Sequence, residues 1–410
     1  MHLRLKRLPL VAVLFGSLAL SALFLAPARS EEAAAKKLAA IPERMQAFVD
    51  KEEIAGAVTV VGRKNGVLSI AAVGSLDLEK KQPLPKDALF RIASMTKPIT
   101  AIGIMILVDE GKIDVEAPVE KYLPEFKGQM LLTGRTAEAV TLKKPSRPIQ
   151  VRDLLTHTSG LPGDFPPGLA DIYQKRNHTL AEVVMAVSQR PLNFEPGTKW
   201  AYCNAGIDVL GRIIEVASGQ SYEEFLQKRI FQPLEMHDTT FYPTAKQLER
   251  AAPTYTKKDG KLVVAPNTLI DLPKGARYPI PAGGLYSTGA DLAKLYQMML
   301  NKGTLGSVRI LSEKSVAEMT RVQTGDLQTG FTAGMGFGYG WAVVQKPTGV
   351  TAMLSPGSYG HGGAFGTQGW LDPQQDLFMI LLIQRTGLPN ADASKMREEL
   401  QSLAVSALKE

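Results

Sequence analysis

A serine and a lysine one helical turn apart are the first residues in this chain whose types and spacing suggest chemistry. Ser94 and Lys97 stand at the start of an apolar segment that ends before Gly111, and this pattern predicts a helix from about Ser94 to Glu110. Positions i and i+3 of a helix lie about 4.5 Å apart along the axis and share a face. A serine hydroxyl becomes a good nucleophile when a neighbouring base takes its proton. Burial and the helix dipole both lower the pKa of a lysine, so that its neutral amine can act as this base.

The Ser-x-x-Lys pattern is loose, because a second copy, Ser406 to Lys409, falls in a segment that is predicted to be a solvated C-terminal helix. A catalytic serine therefore needs partners elsewhere in the chain. Tyr202 is the one tyrosine with an asparagine two positions later, Asn204, and it stands between a Pro-Gly turn and a predicted helix. His361 is the one histidine with a glycine two positions later, Gly363.

Taken together, Ser94-x-x-Lys97, Tyr202-x-Asn204 and His361-x-Gly363 resemble the three motifs of the penicillin-recognising serine hydrolases. Their order and spacing are most similar to the class C β-lactamase branch, which also includes DD-peptidases, D-aminopeptidases and family VIII carboxylesterases. The resemblance covers about residues 41–385. It implies an α/β (α+β) fold of the β-lactamase/transpeptidase type, an enzyme without a cofactor, and a small ester or amide as substrate.

The resemblance also implies a role for each residue of the first two motifs. Ser94 would attack a carbonyl carbon and form an acyl-enzyme, while Lys97 and the Tyr202 hydroxyl would pass the serine proton to the leaving group. Asn204 would orient Lys97 and the polar arm of the substrate. The backbone N–H groups of Ser94 and Ala364 would form the oxyanion hole.

The third motif departs from the usual family pattern in a way that bears on the substrate. β-Lactamases and penicillin-binding proteins usually have Lys-Thr-Gly or Lys-Ser-Gly there, and the cation and hydroxyl hold a substrate carboxylate. In this chain His361 is mostly neutral at pH 7 and Gly362 lacks a hydroxyl, although some peptidases of the family also have histidine. Gly362, Gly363 and Ala364 are small enough for a substrate to lie against the strand. The motif therefore favours a neutral ester over a carboxylate-bearing substrate.

Each of these residues also has a structural interpretation. Tyr202 could be a buried tyrosine, Asn204 a helix N-cap, and His361 a strand residue bonded to backbone. His157 and Ser159 lie too close together on one turn to face each other around a substrate, so His157 is predicted to be structural. Cys203, the single cysteine, is predicted to be a small packed residue.

Three function classes stay open at this level. The first is an ester-cleaving serine hydrolase, and the second is a β-lactamase or D-amino-acid peptidase acting on cell-wall-like amides. The third is a binding protein or sensor that is acylated once without turnover. The chain has no His-Glu-x-x-His motif and its histidines are scattered, so we expect no metal site, and the absence of Gly-x-Ser-x-Gly excludes an α/β-hydrolase nucleophile elbow.

The first 28 residues have basic residues, an apolar run and an Ala-Pro-Ala end, which is typical of a cleaved secretory signal. We therefore expect an exported protein, periplasmic or secreted, with no stable membrane insertion after cleavage; the alternative is an uncleaved anchor helix. Removing the segment lowers the net charge from +7 to about +4, which implies no nucleic-acid partner. The oligomeric state stays open.

The elements that must position these residues follow from the apolar periodicity. A helix from about Pro42, a hairpin with an Asn65-Gly66 turn, and further strands near the C-terminus predict an antiparallel sheet built from both chain ends. The middle third of the chain is predicted to be mostly helical. We predict one domain, residues 29–410, with a sheet lobe (about 41–93 plus 282–410) and an inserted helical lobe (about 94–281). Residues 127–148 are predicted to be irregular, residues 337–341 a strand, residues 222–231 a helix and residues 391–408 a closing helix.

Overall fold

The computed structural model describes residues 36–165, 167–266 and 272–408, so the predicted signal, residues 1–28, lies outside the described residues. The strands are β1 (Gly56–Arg63), β2 (Gly66–Asp77), β3 (Gln82–Pro83), β4 (Phe90–Arg91), β5 (Leu131–Arg135), β6 (Val140–Lys143), β7 (Tyr255–Lys258), β8 (Lys261–Val264), β9 (Tyr286–Ser287), β10 (Thr304–Leu305), β11 (Val308–Arg309), β12 (Met335–Phe337), β13 (Ala342–Val344), β14 (Tyr359–Gly362), β15 (Gln368–Asp372) and β16 (Leu377–Leu382). The α-helices are α1 (Ala40–Asp50), α2 (Thr96–Asp109), α3 (Val151–Leu155), α4 (Ile172–Lys175), α5 (Leu180–Ser188), α6 (Asn204–Ser218), α7 (Tyr222–Leu226), α8 (Ala245–Leu248), α9 (Gly289–Leu300), α10 (Glu313–Thr320) and α11 (Lys395–Leu408). None of the helices in the described ranges is long and apolar enough to cross a membrane.

An eight-stranded antiparallel sheet joins the two ends of the chain, in the order β12-β13-β14-β15-β16-β1-β2-β3. Strand β1 pairs with β2 on one side and with β16 on the other, so that Val60 lies opposite both Ile70 and Ile380. The apolar side chains of β1 and β16 are buried, as expected for strands that are covered on both faces. The prediction of a sheet made from both termini is confirmed.

Helices cover both faces of this sheet. On one face α1 packs with α11, where α1 lies against β1 and β2 and α11 lies against β16. On the other face α9 lies across β1 and β16. Beyond α9 lies the helical part of the chain, where α2 packs against α6 and is buried along almost its whole length. The fold thus places the start of α2 between the sheet and the helices.

Several element predictions need correction. Residues 127–148 contain the hairpin β5–β6 rather than irregular chain alone. The predicted helix over residues 222–231 is α7 followed by a π-helical turn, Gln227–Phe231. Of the predicted strand over residues 337–341, only Phe337 is in a strand, β12; residues 338–341 form the turn between β12 and β13, where Gly340 has a positive φ of 76°. The closing helix begins at Lys395, after a short 3-10 turn, Ala391–Ala393.

Candidate active site

The nucleophile candidate lies in a short turn that leads into α2. Ser94 is the middle residue of the 3-10 turn Ala93–Met95, and Ala93 has a positive φ of 47°, which is uncommon for a residue with a side chain. Lys97 lies in the first turn of α2 and is fully buried. Its Nζ atom is hydrogen-bonded to Ser94 Oγ at 3.0 Å, as the i, i+3 spacing predicts.

The Lys97 amine has a second partner in the chain, the carbonyl oxygen of Ala282, to which it donates at 2.6 Å. Burial lowers the pKa of Lys97 to about 7, and the negative charge of Asp208 opposes this shift. A large fraction of the amine is therefore neutral near pH 7 and can accept a proton from Ser94.

Tyr202 lies beside the pair formed by Ser94 and Lys97. The Tyr202 hydroxyl faces the Ser94 side chain, and Lys97 Nζ lies 4.7 Å from the centroid of its ring. Burial raises the pKa of Tyr202 well above its usual value, so the hydroxyl stays protonated at neutral pH. The Tyr202 hydroxyl can therefore donate its proton to a leaving group while it accepts a second proton.

His157 fixes the backbone on both sides of Tyr202. Its carbonyl oxygen accepts from the Ala201 N–H at 2.9 Å, and its Nδ1 accepts from the Cys203 N–H at 3.2 Å. The His157 and Tyr202 ring centroids are 4.6 Å apart. Burial holds the pKa of His157 well below its usual value, so the ring is neutral and Nδ1 stays an acceptor. This arrangement agrees with the structural interpretation of His157.

Asn204 lies two residues after Tyr202, and its role in orienting Lys97 and the substrate stays a prediction. It is the first residue of α6, while Cys203 is the N-cap and its Sγ accepts from the Gly206 N–H at 3.4 Å. The buried Asn204 Oδ1 has no hydrogen-bond partner among the described residues. Because Cys203 is the N-cap of α6, the N-cap interpretation of Asn204 is wrong.

The third motif passes directly beside the nucleophile turn. His361 and Gly362 close strand β14, and a Cβ placed at Gly363 would lie 2.6 Å from the carbonyl oxygen of Ile92, so only glycine fits this approach. Ala364 follows in a turn that is closed by the Gly363 N–H donating to the carbonyl oxygen of Thr367 at 2.7 Å, rather than on the predicted strand. The oxyanion role of the Ser94 and Ala364 N–H groups stays a prediction.

Sequence reasoning missed Asp208 and Ala282. Asp208 is fully buried on α6, where its Oδ1 accepts from the Ala282 N–H at 3.1 Å and its Oδ2 from the Tyr173 hydroxyl at 2.8 Å. Burial raises the pKa of Asp208 to about 6. Asp208 therefore holds the residue whose carbonyl oxygen binds Lys97. The available signal was an aspartate on the apolar face of a predicted helix.

A narrow cleft with mostly aromatic walls opens beside Tyr202 and His361. Trp200, Phe331 and Phe337 line one side of it. Phe331 is 53% exposed, so its ring is free to cover an apolar ligand at the mouth of the cleft. The site therefore combines a serine with a neutral amine, a protonated tyrosine and an apolar wall, which suits acyl transfer from a substrate with an uncharged group.

Comparison with known proteins agrees with this geometry. The family model described as Beta-lactamase matches residues 41–403. Esterase EstB from Burkholderia gladioli is 29% identical over 374 residues, covering 84% of this chain and 90% of that protein. Penicillin-binding protein 4 from Amycolatopsis lactamdurans is 31% identical over 327 residues, covering 80% and 79%.

Among solved structures, EstCE1, a hydrolase with promiscuous acyltransferase activity, aligns with a TM-score of 0.73 and 25% identity. The alignment covers 92% of this chain and 99% of EstCE1. These relatives and the match along nearly the whole chain confirm the predicted fold and superfamily. The chain belongs to the beta-lactamase family and is a serine hydrolase of that family, which acts on small ester or amide substrates.

Proposed function

We propose that this protein is an exported esterase that cleaves small neutral esters through an acyl-enzyme on Ser94. The observation that carries the proposal is the 3.0 Å hydrogen bond between Ser94 Oγ and the buried, largely neutral amine of Lys97. Two further features favour esters: the aromatic wall of the cleft, and His361, whose pKa burial lowers to about 4. A neutral histidine offers no positive charge to a substrate carboxylate.

The proposed reaction has two halves. Ser94 Oγ bonds to the ester carbonyl carbon while its proton moves to Lys97, and the Tyr202 hydroxyl gives a proton to the departing alkoxide as the C–O bond breaks. Tyr202 regains a proton from Lys97. A water oxygen then bonds to the acyl carbon and gives a proton to the same pair. The pair returns this proton to Ser94 Oγ as the bond between Oγ and the acyl carbon breaks, and the acid leaves. The Ser94 and Ala364 N–H groups are the proposed donors to the oxyanion in both halves.

The second candidate is a β-lactamase or D-amino-acid peptidase, which the similarity to a penicillin-binding protein favours. Its chemistry at Ser94 is the same, and the candidates differ in the bond that is cleaved. The third, acylation without turnover, differs only in the rate of the second half-reaction.

The test compares steady-state hydrolysis of a nitrophenyl ester, a chromogenic cephalosporin and a D-alanyl anilide by the mature protein. Ser94→Ala is the test variant, and Ser406→Ala, which changes the exposed serine of the second Ser-x-x-Lys sequence, is the matched control. We expect many ester turnovers per site, lost in Ser94→Ala and kept in Ser406→Ala. Faster amide or lactam turnover would favour the second candidate, and a single burst the third. Ester turnover that survives in Ser94→Ala would exclude the proposed site.

Export is part of the proposal and has its own measurement. The proposed signal is residues 1–28, and cleavage would leave an N-terminus at Arg29. Mass spectrometry of the protein recovered outside the cytoplasm should give that N-terminus. An intact Met1 on protein that stays in the membrane fraction would favour the anchor alternative.

A further inference from the structure

We propose that the cleft beside Tyr202 and His361 is the leaving-group subsite, where His361 Nε2 and the Asp392 carboxylate accept hydrogen bonds from the substrate. These two acceptors favour leaving groups that carry a hydroxyl or an ammonium over those that carry a carboxylate. The inference rests on the proposed function and specifies the substrates of the same site: hydroxyl-bearing neutral esters stay in the predicted class, and ammonium-bearing esters are added to it. A neutral His361 accounts only for weaker binding of a substrate carboxylate, whereas this inference also states which leaving groups the cleft prefers.

The tautomer of His361 follows from its nearest neighbour. Its Nδ1 lies 2.6 Å from the carbonyl oxygen of Gly362, and a carbonyl oxygen only accepts, so Nδ1 carries the hydrogen. In a neutral ring the other nitrogen then has a lone pair and no hydrogen. His361 lines the cleft, and its Nε2 is buried without a hydrogen-bond partner in the described part of the chain. It can therefore only accept a hydrogen bond from a ligand.

Asp392 fills the place that a side chain at Gly362 would occupy. A Cβ added to Gly362 would collide with Asp392 Oδ1 and with the Gln368 side chain. The carboxylate is held in place because Gln368 Nε2 donates to Asp392 Oδ1 at 3.1 Å, and because the Asn390 side chain accepts from the Asp392 N–H at 3.0 Å. Where related enzymes present a hydroxyl to a substrate carboxylate, this chain presents an anion.

Arg397 is a cationic neighbour of Asp392 that also lines the cleft, and two of its three guanidinium nitrogens are engaged within the protein. Arg397 is 1% exposed, and its guanidinium lies 3.8 Å from the centroid of the Trp370 ring. Its Nη1 donates to the backbone oxygen of Asp392 at 2.5 Å and its Nε to Gln401 at 3.0 Å. Its Nη2 is buried without a partner among the described residues. Asp392 is the more exposed of the two charges, so a ligand meets the carboxylate first.

The cleft is assigned to the leaving group by the side chains that line it. It is lined by Tyr202, the proposed proton donor to the leaving alkoxide, and by His361 and Asp392. Aromatic faces such as those of Trp200 and Phe331 also attract cations, which adds to the preference for an ammonium. The predicted substrate class is therefore an ester of an alcohol that bears a second hydroxyl or an amine a few atoms from the cleaved bond.

The experiment uses acetate esters of three benzyl alcohols that differ only in the para substituent: hydroxymethyl, aminomethyl or carboxylate. Acetate release is measured for the wild-type protein and for Asp392→Asn, which removes the charge and keeps the shape. Asp376→Asn, in the β15–β16 turn, is the matched control. We expect wild-type kcat/KM to be about tenfold higher or more for the first two esters than for the carboxylate, since one misplaced charge costs about 1.4 kcal/mol or more.

In Asp392→Asn the ratio of aminomethyl to carboxylate kcat/KM should fall about tenfold, and in Asp376→Asn it should not change. A carboxylate ester that is the best substrate, or a ratio that Asp392→Asn leaves unchanged, would overturn the inference and assign the cleft to Arg397 Nη2. The free alcohols are also titrated calorimetrically into the wild-type protein, where the same order of affinity is expected without any turnover. Ester activity that persists in Ser94→Ala would instead refute the proposed function, so the two failures are distinguishable.

Discussion

Two opposing influences set the pKa of Lys97: burial lowers it to about 7, and Asp208 raises it. Lys97 must be neutral to accept the Ser94 proton, and Tyr202, with its raised pKa, must be protonated. We therefore expect kcat/KM for a neutral ester to rise with pH through about 7 and then to stay level through the neutral range. A pH profile of the wild-type protein measures this.

Lys97→Arg, which cannot lose its proton, should reduce kcat/KM by about 10³-fold or more. A profile that is flat from pH 5 to 9 would contradict a lysine base.

Asp208 acts on Lys97 through its charge and through Ala282, so its effect should be visible in the same profile. Replacing it with Asn keeps the acceptor for the Ala282 N–H but removes the negative charge that favours the protonated amine. The rising limb of kcat/KM should therefore move to lower pH in Asp208→Asn. Tyr173→Phe, which removes one hydrogen bond to Asp208 and keeps the charge, is the control and should move the limb less. A limb that stays in place in Asp208→Asn would show that Asp208 is only structural.

The turn that carries His157 shows how one short element positions another. His157 has a positive φ of 60° and brackets Tyr202 with two hydrogen bonds. Asparagine tolerates this backbone conformation, and its Oδ1 can accept a hydrogen bond from the Cys203 N–H as Nδ1 does. We expect His157→Asn to keep most of kcat and His157→Leu to lose about tenfold or more, with KM for a small ester changing less. Equal kcat values in the two variants, with both folded by circular dichroism, would rule out a positioning role.

The elements that the sequence predicted well are those with local signals. The Asn65-Gly66 turn and the apolar run after Ser94 predicted the β1–β2 hairpin and α2 correctly, because turn chemistry and apolar periodicity depend on neighbouring residues. The Ser94–Lys97 contact followed from helix geometry for the same reason. The β12–β13 turn was missed because its alternating glycines fit a strand equally well, and the Lys97–Ala282 bond joins residues that only the whole fold brings together.

At the scale of the whole molecule, two of the close contacts between the sheet and the segment that carries Ser94 and α2 require glycine. One is Gly363 beside Ile92. The other is Gly340, in the β12–β13 turn, whose N–H donates to the carbonyl oxygen of Leu155 at 2.9 Å. A Cβ at Gly340 would lie 2.5 Å from Ala101 Cβ and 3.3 Å from the Lys97 carbonyl oxygen. The turn therefore packs between the sheet and α2, the helix that contains the proposed base Lys97.

This arrangement predicts that Gly340→Ala affects both stability and activity. Gly340 has φ +76°, and Gly260, in the β7–β8 turn, has φ +80° with no atom within 4 Å of an added Cβ. Both substitutions carry the backbone strain of about 1 to 2 kcal/mol, but only Gly340→Ala also forces atoms into α2, at a further cost of about 1 to 3 kcal/mol. Urea denaturation should therefore show the larger loss in unfolding free energy for Gly340→Ala.

The kcat of Gly340→Ala for a nitrophenyl ester should also fall, because Lys97 moves with the displaced turn of α2. Gly260→Ala should keep the wild-type kcat. Equal losses of stability with unchanged kcat in both variants would mean that α2 is held in place without this contact, and that the sheet and the helices position the serine independently.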